Sequence, residues 1–167
     1  MLLGAVFKAV EQVNVPLFGQ SPAKQKHTQA DFVRQTRAHR IEFSWPSRFP
    51  MNTVLPLRIT LLADCSPPLI HAIYRAYWVE DRDISSPDAM REICDALGHD
   101  GKALVDRAQE PAIKNALREQ TEAAVSAGVF GAPTFVVHSR DGEPSLYWGA
   151  DRLEWAARFA AGDERLR

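Results

Sequence analysis

The sequence predicts an α/β protein in which a long helical region is followed by a small β–β–α unit. Residues 21–127 contain helix-capping residues, prolines at helix starts and apolar residues at helical spacing. The apolar, β-branched segment 134–138 is typical of a buried strand, and 145–148 has the same character. Two strands alone are only marginally stable, so the unit needs a covering helix or further strands.

The composition of the 167-residue chain is that of one globular domain, or of one domain with a sizeable insertion. Its formal net charge of -1 predicts no general attraction to nucleic acid or to an anionic membrane. No apolar run is long enough to span a bilayer, and the N-terminal segment lacks the basic residues that begin a signal peptide. We therefore expect a cytoplasmic protein with reduced cysteines.

The cysteines and histidines offer neither a redox pair nor a metal site. Cys65 and Cys94 form no C-x-x-C motif, and the histidines lack metal-ligand spacing. Cys94 lies in the apolar stripe of a predicted helix, so we expect it to be buried. Cys65 lies in a loop and can be exposed, but no neighbouring His or Lys would activate its thiol.

The first part of the helical region divides at prolines and capping residues. Residues 1–20 are apolar and then broken by Pro and Gly, and they fit either a strand end or a short helix leading into a loop. A basic helix is predicted over 22–40, and the loop after it is rich in Trp, Pro and Phe. The next helix begins at Asn52 or Thr53, since either can cap it, and Pro56 is tolerated in its first turn.

Four more helices are predicted before the strands. A Pro-Pro pair at Pro67 opens the first of them, and Ser86 followed by proline and an acid caps the second. Asp100 caps a short third helix. Pro111 opens the last one, which is predicted to end at Gly128.

The C-terminal unit combines a proline-bearing loop, two strands and a last helix. Pro133 stands at the start of the first predicted strand, where its missing N–H does no harm. A turn over 140–143 leads into the second strand. The last helix is expected to be capped by Asp151 and to end at Gly162.

The segment Gly149-Ala150-Asp151-Arg152 has a second interpretation besides that of a helix cap. The free N–H groups at a helix N-terminus bind anions, and a nearby carboxylate such as that of Asp151 can receive an ammonium group. A ligand that carries a carboxylate and an ammonium on one carbon would therefore suit this corner.

Several stretches of the chain resemble one known family. The Val-Phe-Gly-Ala-Pro-Thr loop within 129–135 and the Trp-Gly-Ala-Asp-Arg corner within 147–153 resemble the C-terminal half of a DsbA-like thioredoxin-fold domain. More narrowly, they look like the group of 2-hydroxychromene-2-carboxylate isomerases and kappa-class glutathione transferases. The Phe-Pro-Met-Asn-Thr loop at 49–53 and the aromatic and acidic block 74–84 resemble the same group, although the block's aromatic residues are more often core.

The resemblance implies a thioredoxin-like α/β fold that carries a large all-helical insertion. Residues 1–20 would be the remnant of the N-terminal part of this fold, 21–127 the helical insertion and 128–167 the C-terminal ββα part. It also implies a cis bond between Ala132 and Pro133. The backbone of residue 132 would then pair with the cysteinyl unit of glutathione, as in strand addition.

Glutathione is the cofactor that the resemblance implies. The expected binding residues are Lys24, Asn52, Ala132, Pro133, Ala150, Asp151 and Arg152. The last three would hold the γ-glutamyl group, Lys24 the glycyl carboxylate, and Asn14 would add a polar contact. Simpler explanations remain open, because Asn52 is a natural N-cap and Lys24 belongs to a basic run that is typical of a solvated face.

The resemblance also points to what this sequence does not contain. In the family, a first strand and a Ser-Pro-type turn precede the point where this sequence begins, and the serine of that turn hydrogen-bonds the glutathione sulfur. We therefore expect an N-terminally truncated form of the fold, with no catalytic residue in this chain. With that segment, the implied reaction is the glutathione-dependent isomerisation of a 2-hydroxychromene-2-carboxylate, in which a thiolate adds, a bond rotates and the thiol leaves.

The implied partners are a small aromatic carboxylate, from the degradation of aromatic compounds, and a second copy of the chain. Two other functions stay open. A DsbA-like thiol–disulfide oxidoreductase would require a C-x-x-C motif outside this sequence, and a truncated remnant would bind without catalysis and expose its sheet edge. The Trp-Gly-x-Asp-Arg corner and the lack of secretion features favour the isomerase.

Overall fold

The computed structural model describes residues 1–10, 19–138 and 142–166. The helices of these ranges are α1 (Leu3–Val10), α2 (Pro22–Ala38), α3 (Val54–Leu62), α4 (Pro67–Trp78), α5 (Pro87–Ala96), α6 (Gly101–Arg107), α7 (Pro111–Ser126) and α8 (Leu153–Ala160). The strands are β1 (Thr134–Val137) and β2 (Ser145–Trp148), and short 3-10 turns lie at Ala150–Arg152 and Glu164–Leu166. The element order is the one that the sequence predicts, and the open choice for the N-terminal residues is decided in favour of a helix.

Side-chain caps begin three of the helices, and two of the capping residues, Ser86 and Asp100, are those that the sequence predicts. Ser21 Oγ accepts a hydrogen bond from the Lys24 N–H at 3.4 Å. Asp100 accepts one from the Ala103 N–H at 2.9 Å, and Ser86 Oγ lies 3.5 Å from the N–H three residues on. These bonds satisfy N–H groups that have no partner within their own helix.

The described residues fall into two compact units. One contains helix α1 and the residues from Glu119 onwards, and the other contains the residues from 19 to Arg118. We call the first the hairpin unit and the second the helical unit. No helix among the described residues is both long and apolar enough to cross a membrane.

The core of the helical unit is formed by α3, α4, α5 and α6. Its largest fully buried side chains are Ile59, Leu69, Met90 and Cys94, each with 0% of its surface exposed. Helices α5 and α6 approach so closely that a Cβ on Gly101 would overlap the Arg91 backbone. The glycine at the start of α6 therefore permits the packing of these two helices.

Aromatic side chains form a continuous cluster beside this core. Neighbouring rings of Phe32, Phe43, Trp45, Phe49 and Trp78 have centroids between 4.8 Å and 6.3 Å apart. The expectation that the aromatic residues of block 74–84 are core holds for Tyr77, which is buried, and in part for Trp78. Tyr74 departs from it, since its side chain is 59% exposed and faces away from the core.

The hairpin unit contains an antiparallel pair of strands covered by α8. Thr134 pairs with Trp148 and Val137 with Ser145. The side chains of Tyr147, Ala156 and Phe159 form a small core with the half-buried residues Phe135, Val137 and Leu166. The covering helix therefore supplies the burial that two strands alone lack.

Candidate functional site

The loop before β1 has the predicted backbone geometry. The bond between Ala132 and Pro133 is cis, and both residues are exposed. Thr134 Oγ1 donates a hydrogen bond to the Gly131 carbonyl at 2.7 Å, which closes the loop on itself. The prediction of a cis proline at this position is confirmed.

The corner after β2 lies next to this loop. The Gly149 N–H donates to the Pro133 carbonyl oxygen at 3.0 Å and so extends the strand ladder by one pair. Gly149 has φ +112°, and a Cβ there would overlap the Asp151 carboxylate. Glycine is therefore required where the strand turns into the helix. The hairpin unit brings Ala132 and Pro133 into one region with residues 150–152.

The expectation that Asp151 caps the last helix is wrong. A 3-10 turn at Ala150–Arg152 lies between β2 and α8, so Gly149 occupies the capping position of the turn and Arg152 that of the helix, neither with a side-chain cap. The Asp151 carboxylate is 73% exposed and accepts a hydrogen bond from Arg152 Nη1 at 2.8 Å. Displaced from the capping position, this carboxylate remains accessible to a cationic group.

Two aromatic side chains line the same region. Phe130 and Trp148 have ring centroids 5.3 Å apart, and a Cβ on Gly131 would lie 2.7 Å from Trp148 Nε1. The indole therefore lies directly against the loop that carries Ala132 and Pro133. Residue type alone does not distinguish Trp148 from a core residue. In the strand register it pairs with Thr134, which places it next to this loop.

Lys24 and Asn52 belong to the helical unit. Lys24 is exposed on the first turn of α2, with its backbone N–H bonded to Ser21. Asn52 is exposed, and its Oδ1 accepts a hydrogen bond from the Val54 N–H at 2.9 Å, while Thr53 occupies the capping position of α3. The capping role that the sequence allowed for either residue is thus carried by the Asn52 side chain. Asn14 lies outside the described residues.

The loop that carries Asn52 is fixed to the turn after α4 by contacts that the sequence did not reveal. Asp81 Oδ1 accepts a hydrogen bond from the Ser47 N–H at 2.9 Å, and Arg48 Nη2 donates to the Asp81 carbonyl oxygen at 2.9 Å. The buried Tyr77 hydroxyl donates to the Arg48 carbonyl oxygen at 2.9 Å. The hydrogen bonds from Ser47 lower the pKa of Asp81, so its carboxylate is ionised at neutral pH.

A second acidic residue of the turn after α4, Asp83, also interacts with loop 44–53. Arg48 Nη1 lies 3.4 Å from Asp83 Oδ2, and the hydrogen bonds from Ser85 lower the pKa of Asp83. The signal in the sequence was the alternation of acids and bases directly after Trp78. It could not be assigned to loop 44–53, because the partners are more than thirty positions apart, as the Ser47–Asp81 separation of 34 shows.

The two cysteines lie in different environments. Cys65 is exposed, and Cys94 is buried, as predicted, and both are free thiols. Burial, with a smaller effect of the Asp95 charge, raises the pKa of the Cys94 thiol to about 11. Cys94 is therefore protonated and unreactive at neutral pH. Within the described ranges, no group of three or more His, Cys, Asp or Glu residues could hold a metal ion.

The C-terminal turn is held by a carboxylate between two arginines. Asp163 Oδ2 accepts from Arg158 at 2.6 Å, and Arg165 donates to both of its oxygens at 2.7 Å and 2.9 Å. The hydrogen bonds from Arg165 and then Arg158 hold the pKa of Asp163 well below its usual range. The turn therefore stays attached to α8 at all but acidic pH.

Comparison with known protein families defines the class of the molecule. The DSBA-like thioredoxin domain family matches residues 3–159, so the chain belongs to this family. A solved structure of a 2-hydroxychromene-2-carboxylate isomerase superposes with a TM-score of 0.75 at 21% identity, covering 100% of this chain and 82% of the other. These matches confirm the DsbA-like thioredoxin fold that the sequence predicts.

The proteins with similar sequences are kappa-class glutathione S-transferases. Human glutathione S-transferase kappa 1 is 32% identical over 90 residues, which cover 52% of this chain and 39% of the relative. Glutathione S-transferase kappa 2 of Caenorhabditis elegans is 26% identical over 170 residues, covering 93% of this chain and 74% of the relative. The rat kappa 1 protein is 29% identical over 114 residues, or 64% and 50% of the two chains.

The match spans less than two thirds of the human and rat relatives. Together the relatives support the group of kappa-class glutathione transferases and 2-hydroxychromene-2-carboxylate isomerases within the DsbA-like family, as the sequence predicted.

Proposed function

We propose that this chain is part of a glutathione-dependent enzyme, and specifically an isomerase of the 2-hydroxychromene-2-carboxylate type. The observation that carries the proposal is the pairing of the cis Pro133 loop with the Gly149–Arg152 corner through the 3.0 Å bond from the Gly149 N–H. Relatives named as glutathione S-transferases support the use of glutathione. The DsbA-like fold supports a thiol ligand at the proline loop.

Glutathione would lie along this region of the hairpin unit in an extended conformation. Ala132 is exposed beside Pro133, and its backbone N–H and C=O are proposed to pair with the cysteinyl unit. The γ-glutamyl end would lie at Ala150, Asp151 and Arg152, with its ammonium on the Asp151 carboxylate and its carboxylate near Arg152. The 73% exposure of the Asp151 side chain leaves room for this contact.

Lys24 and Asn52, which lie in the helical unit, are proposed separately as contacts of glutathione. The exposed Lys24 ammonium would bind the glycyl carboxylate, which it suits as a point charge. Asn52 Oδ1 is engaged with Val54, so the amide NH2 is the group proposed to contact the tripeptide or the substrate. Loop 44–53 is held by Asp81 and Arg48, which gives Asn52 a fixed backbone.

The proposed reaction needs no net oxidation. A glutathione thiolate adds to the conjugated system of the aromatic carboxylate and converts a double bond into a single one, rotation follows, and expulsion of the thiolate restores the double bond. Lowering the thiol pKa and fixing the nucleophile are the two effects that accelerate such a step. The residues proposed here bind glutathione, and none of them is assigned as catalytic.

The proposal includes a homodimer, a cytoplasmic location and the three-part organisation at 1–20, 21–127 and 128–167.

The binding part of the proposal is tested by titrating the full chain with glutathione in a calorimeter. Asp151→Asn should weaken binding about fivefold, the loss expected for an exposed ion pair worth about 1 kcal/mol. Glu154→Gln is the matched control, because Glu154 is an exposed carboxylate of the following turn and is not part of the proposed site. The control variant should bind glutathione as the parent chain does.

A change in the ligand makes the same test sharper. The parent chain should bind glutathione more tightly than it binds the analogue that lacks the α-amino group. The Asp151→Asn variant should bind glutathione and this analogue with equal affinity. Equal affinities for the parent chain would contradict the assignment of Asp151. Turnover of 2-hydroxychromene-2-carboxylate, followed by absorbance with and without glutathione, then tests the isomerase. Binding without turnover would restrict the proposal for this chain to the binding of glutathione.

A further inference from the structure

A groove of about 500 Å³ runs along strand β2 of the hairpin unit. All four residues of β2 line it, and their side chains alternate between the two faces of the sheet. A cavity that touches residues of both faces lies along the edge of the strand and not over one face. Its other walls are the start of α8 and the C-terminal turn, through Arg152, Trp155, Arg165 and Leu166.

The backbone of β2 has a free edge in this groove. Hydrogen-bonded pairs alternate along an antiparallel ladder, and the bond from the Gly149 N–H to the Pro133 carbonyl sets their phase. The backbone groups of Leu146 and Trp148 therefore point away from β1, to an edge where no other described strand pairs with β2. This edge offers two N–H and two C=O groups to an added strand, and β2 carries no lysine, proline or bulge of the kind that blocks many strand edges.

The two faces of the sheet beside this edge differ in character. Tyr147 packs with Ala156 and Phe159 of α8, so α8 covers its face of β2. Trp148 belongs to the opposite face, where its ring lies against Phe130 and is 55% exposed. The side chains of an added strand alternate in the same way, so every second one lies on the Trp148 side. Apolar groups gain there from burial against the exposed indole.

The α8 side of the groove is positively charged. The charged side chains that line the groove are both arginines, and both lie on this side. Arg152 stacks on Trp155 of α8 at 4.6 Å, and Arg165 follows α8 in the C-terminal turn. Arg152 uses Nη1 for Asp151, and Arg165 uses Nε and Nη2 for Asp163, so each guanidinium keeps further donors. Acidic side chains of an added strand suit these donors.

We propose that β2 binds an extended acidic segment of another protein by strand addition, with acidic side chains alternating with apolar ones. Leu146 and Trp148 supply the backbone hydrogen bonds and the apolar face, and Arg152 and Arg165 receive the acids. The proposal does not rest on the use of glutathione, because Pro133 and its loop do not line the groove. Arg152 is common to the groove and to the proposed γ-glutamyl position.

The probe for this edge is the peptide acetyl-Val-Glu-Val-Glu-Val-Glu-amide, titrated into the ¹⁵N-labelled full chain without glutathione. Strand addition covers the N–H groups of Leu146 and Trp148. At a peptide concentration ten times its Kd, the exchange of these two amides with solvent should slow about tenfold. Unchanged exchange of both amides at saturating peptide would overturn the proposal, and so would saturable resonance shifts confined to the helical unit.

N-methylated peptides separate strand addition from attraction to charge. In an extended strand the backbone N–H groups of the valines point to one edge and those of the glutamates to the other, so only one set faces β2. Two peptides, one methylated on the valines and one on the glutamates, keep the same side chains and charge. One of them should lose about tenfold in affinity for the parent chain and the other less than about twofold. Equal affinities of the two would overturn the proposal.

Variants of the chain test the same contacts from the other side. Leu146→Pro removes a donor from the free edge and leaves the ladder to β1 intact, so it should weaken peptide binding about tenfold. Arg165→Gln should weaken it about fivefold. Arg158→Gln is the control, because Arg158 also pairs with Asp163 but does not line the groove, and it should change affinity less than about twofold.

Three further outcomes would contradict the proposal. A peptide with glutamine in place of glutamate that bound as tightly as the parent peptide would exclude a role for the arginines. Equal weakening by Arg158→Gln and Arg165→Gln would trace the effect to the C-terminal turn rather than to the groove. Slowed exchange of the Leu146 and Trp148 amides that increased with the concentration of the chain alone would assign this edge to a second copy.

Discussion

Replacing Gly131 by alanine places a methyl group where the Trp148 indole now lies. The added Cβ would be 2.7 Å from Trp148 Nε1 and 3.5 Å from the neighbouring ring atoms Cδ1 and Cε2. Atoms this close repel strongly, so the ring or the loop has to move. Gly131 has no positive φ that would strain alanine by itself, and the whole effect therefore comes from this contact.

The size of the effect follows from what the indole loses when it moves. Trp148 is 55% exposed, so its ring can move towards solvent, but it then leaves Phe130, whose ring centre is 5.3 Å away. Such an aromatic pair is worth about 0.5–1.5 kcal/mol, and overpacking of a filled site costs about 1–3 kcal/mol. We expect Gly131→Ala to lower the free energy of unfolding by about 1–3 kcal/mol.

Urea denaturation measures this loss, and the Trp148 indole N–H resonance reports the movement of the ring. Gly4→Ala is the control, because this glycine lies in α1 of the same unit and a Cβ there would meet no atom within 4 Å. It should stabilise the chain by about 0.5–1 kcal/mol through helix propensity. Trp148→Ala removes the clash, so the double variant should cost less than the two single changes added together.

The reasoning would be refuted if Gly131→Ala behaved like Gly4→Ala, with unchanged or raised stability and an unshifted Trp148 resonance. Strict additivity with Trp148→Ala would refute it too, because the cost of the methyl group would then not pass through the indole.

Three further predictions follow from burial and charge. Ile59→Ala should lower the free energy of unfolding by about 2–5 kcal/mol and Leu153→Ala by less than about 0.5 kcal/mol, because the first side chain is 0% and the second 57% exposed; equal losses in urea denaturation would contradict this. The pKa of Asp163 is lower in the folded than in the unfolded state, so its ionised carboxylate stabilises the fold at pH values above the unfolded-state pKa. This stabilisation is lost as the pH falls towards the folded-state pKa, and the melting temperature should therefore fall below about pH 4. Asp163→Asn should flatten this fall, and an unchanged pH profile would exclude the ion pair as its cause. A thiol reagent at neutral pH should label Cys65 at once and Cys94 only after unfolding, and rapid double labelling would show that Cys94 is accessible.

Local signals in the sequence predicted most of the fold. Proline and serine at helix starts have fixed conformational preferences, so they located α2, α4 and α5 to within two residues at their starts. The apolar, β-branched character of 134–138 and the proline before Thr134 located the first strand, and the similar character of 145–148 located the second. These signals act over a few residues, and they do not depend on what the rest of the chain does.

The details of the site depended on longer-range geometry and were less predictable. Asp151 has the side chain of a good helix cap, but a 3-10 turn precedes α8 and puts Gly149 at the capping position of that turn. The link between Ser47 and Asp81 joins segments that no periodicity relates. Tyr74 belongs to the same aromatic block but is exposed, since the buried side of α4 is formed by Leu69, Ile73, Ala76 and Tyr77.

Among the helices of the described residues, α2, α4, α5 and α7 begin at a proline. Before three of them the preceding serine is held near-extended, with ψ of 153°, 117° and 127°, because a residue followed by proline avoids the helical conformation. In these helices the proline itself fixes the first residue, and this start does not depend on packing against neighbouring helices. Connecting loops can therefore gain or lose residues without shifting the register of these helices. The residues that each of them directs towards the core then stay the same when the loop length changes.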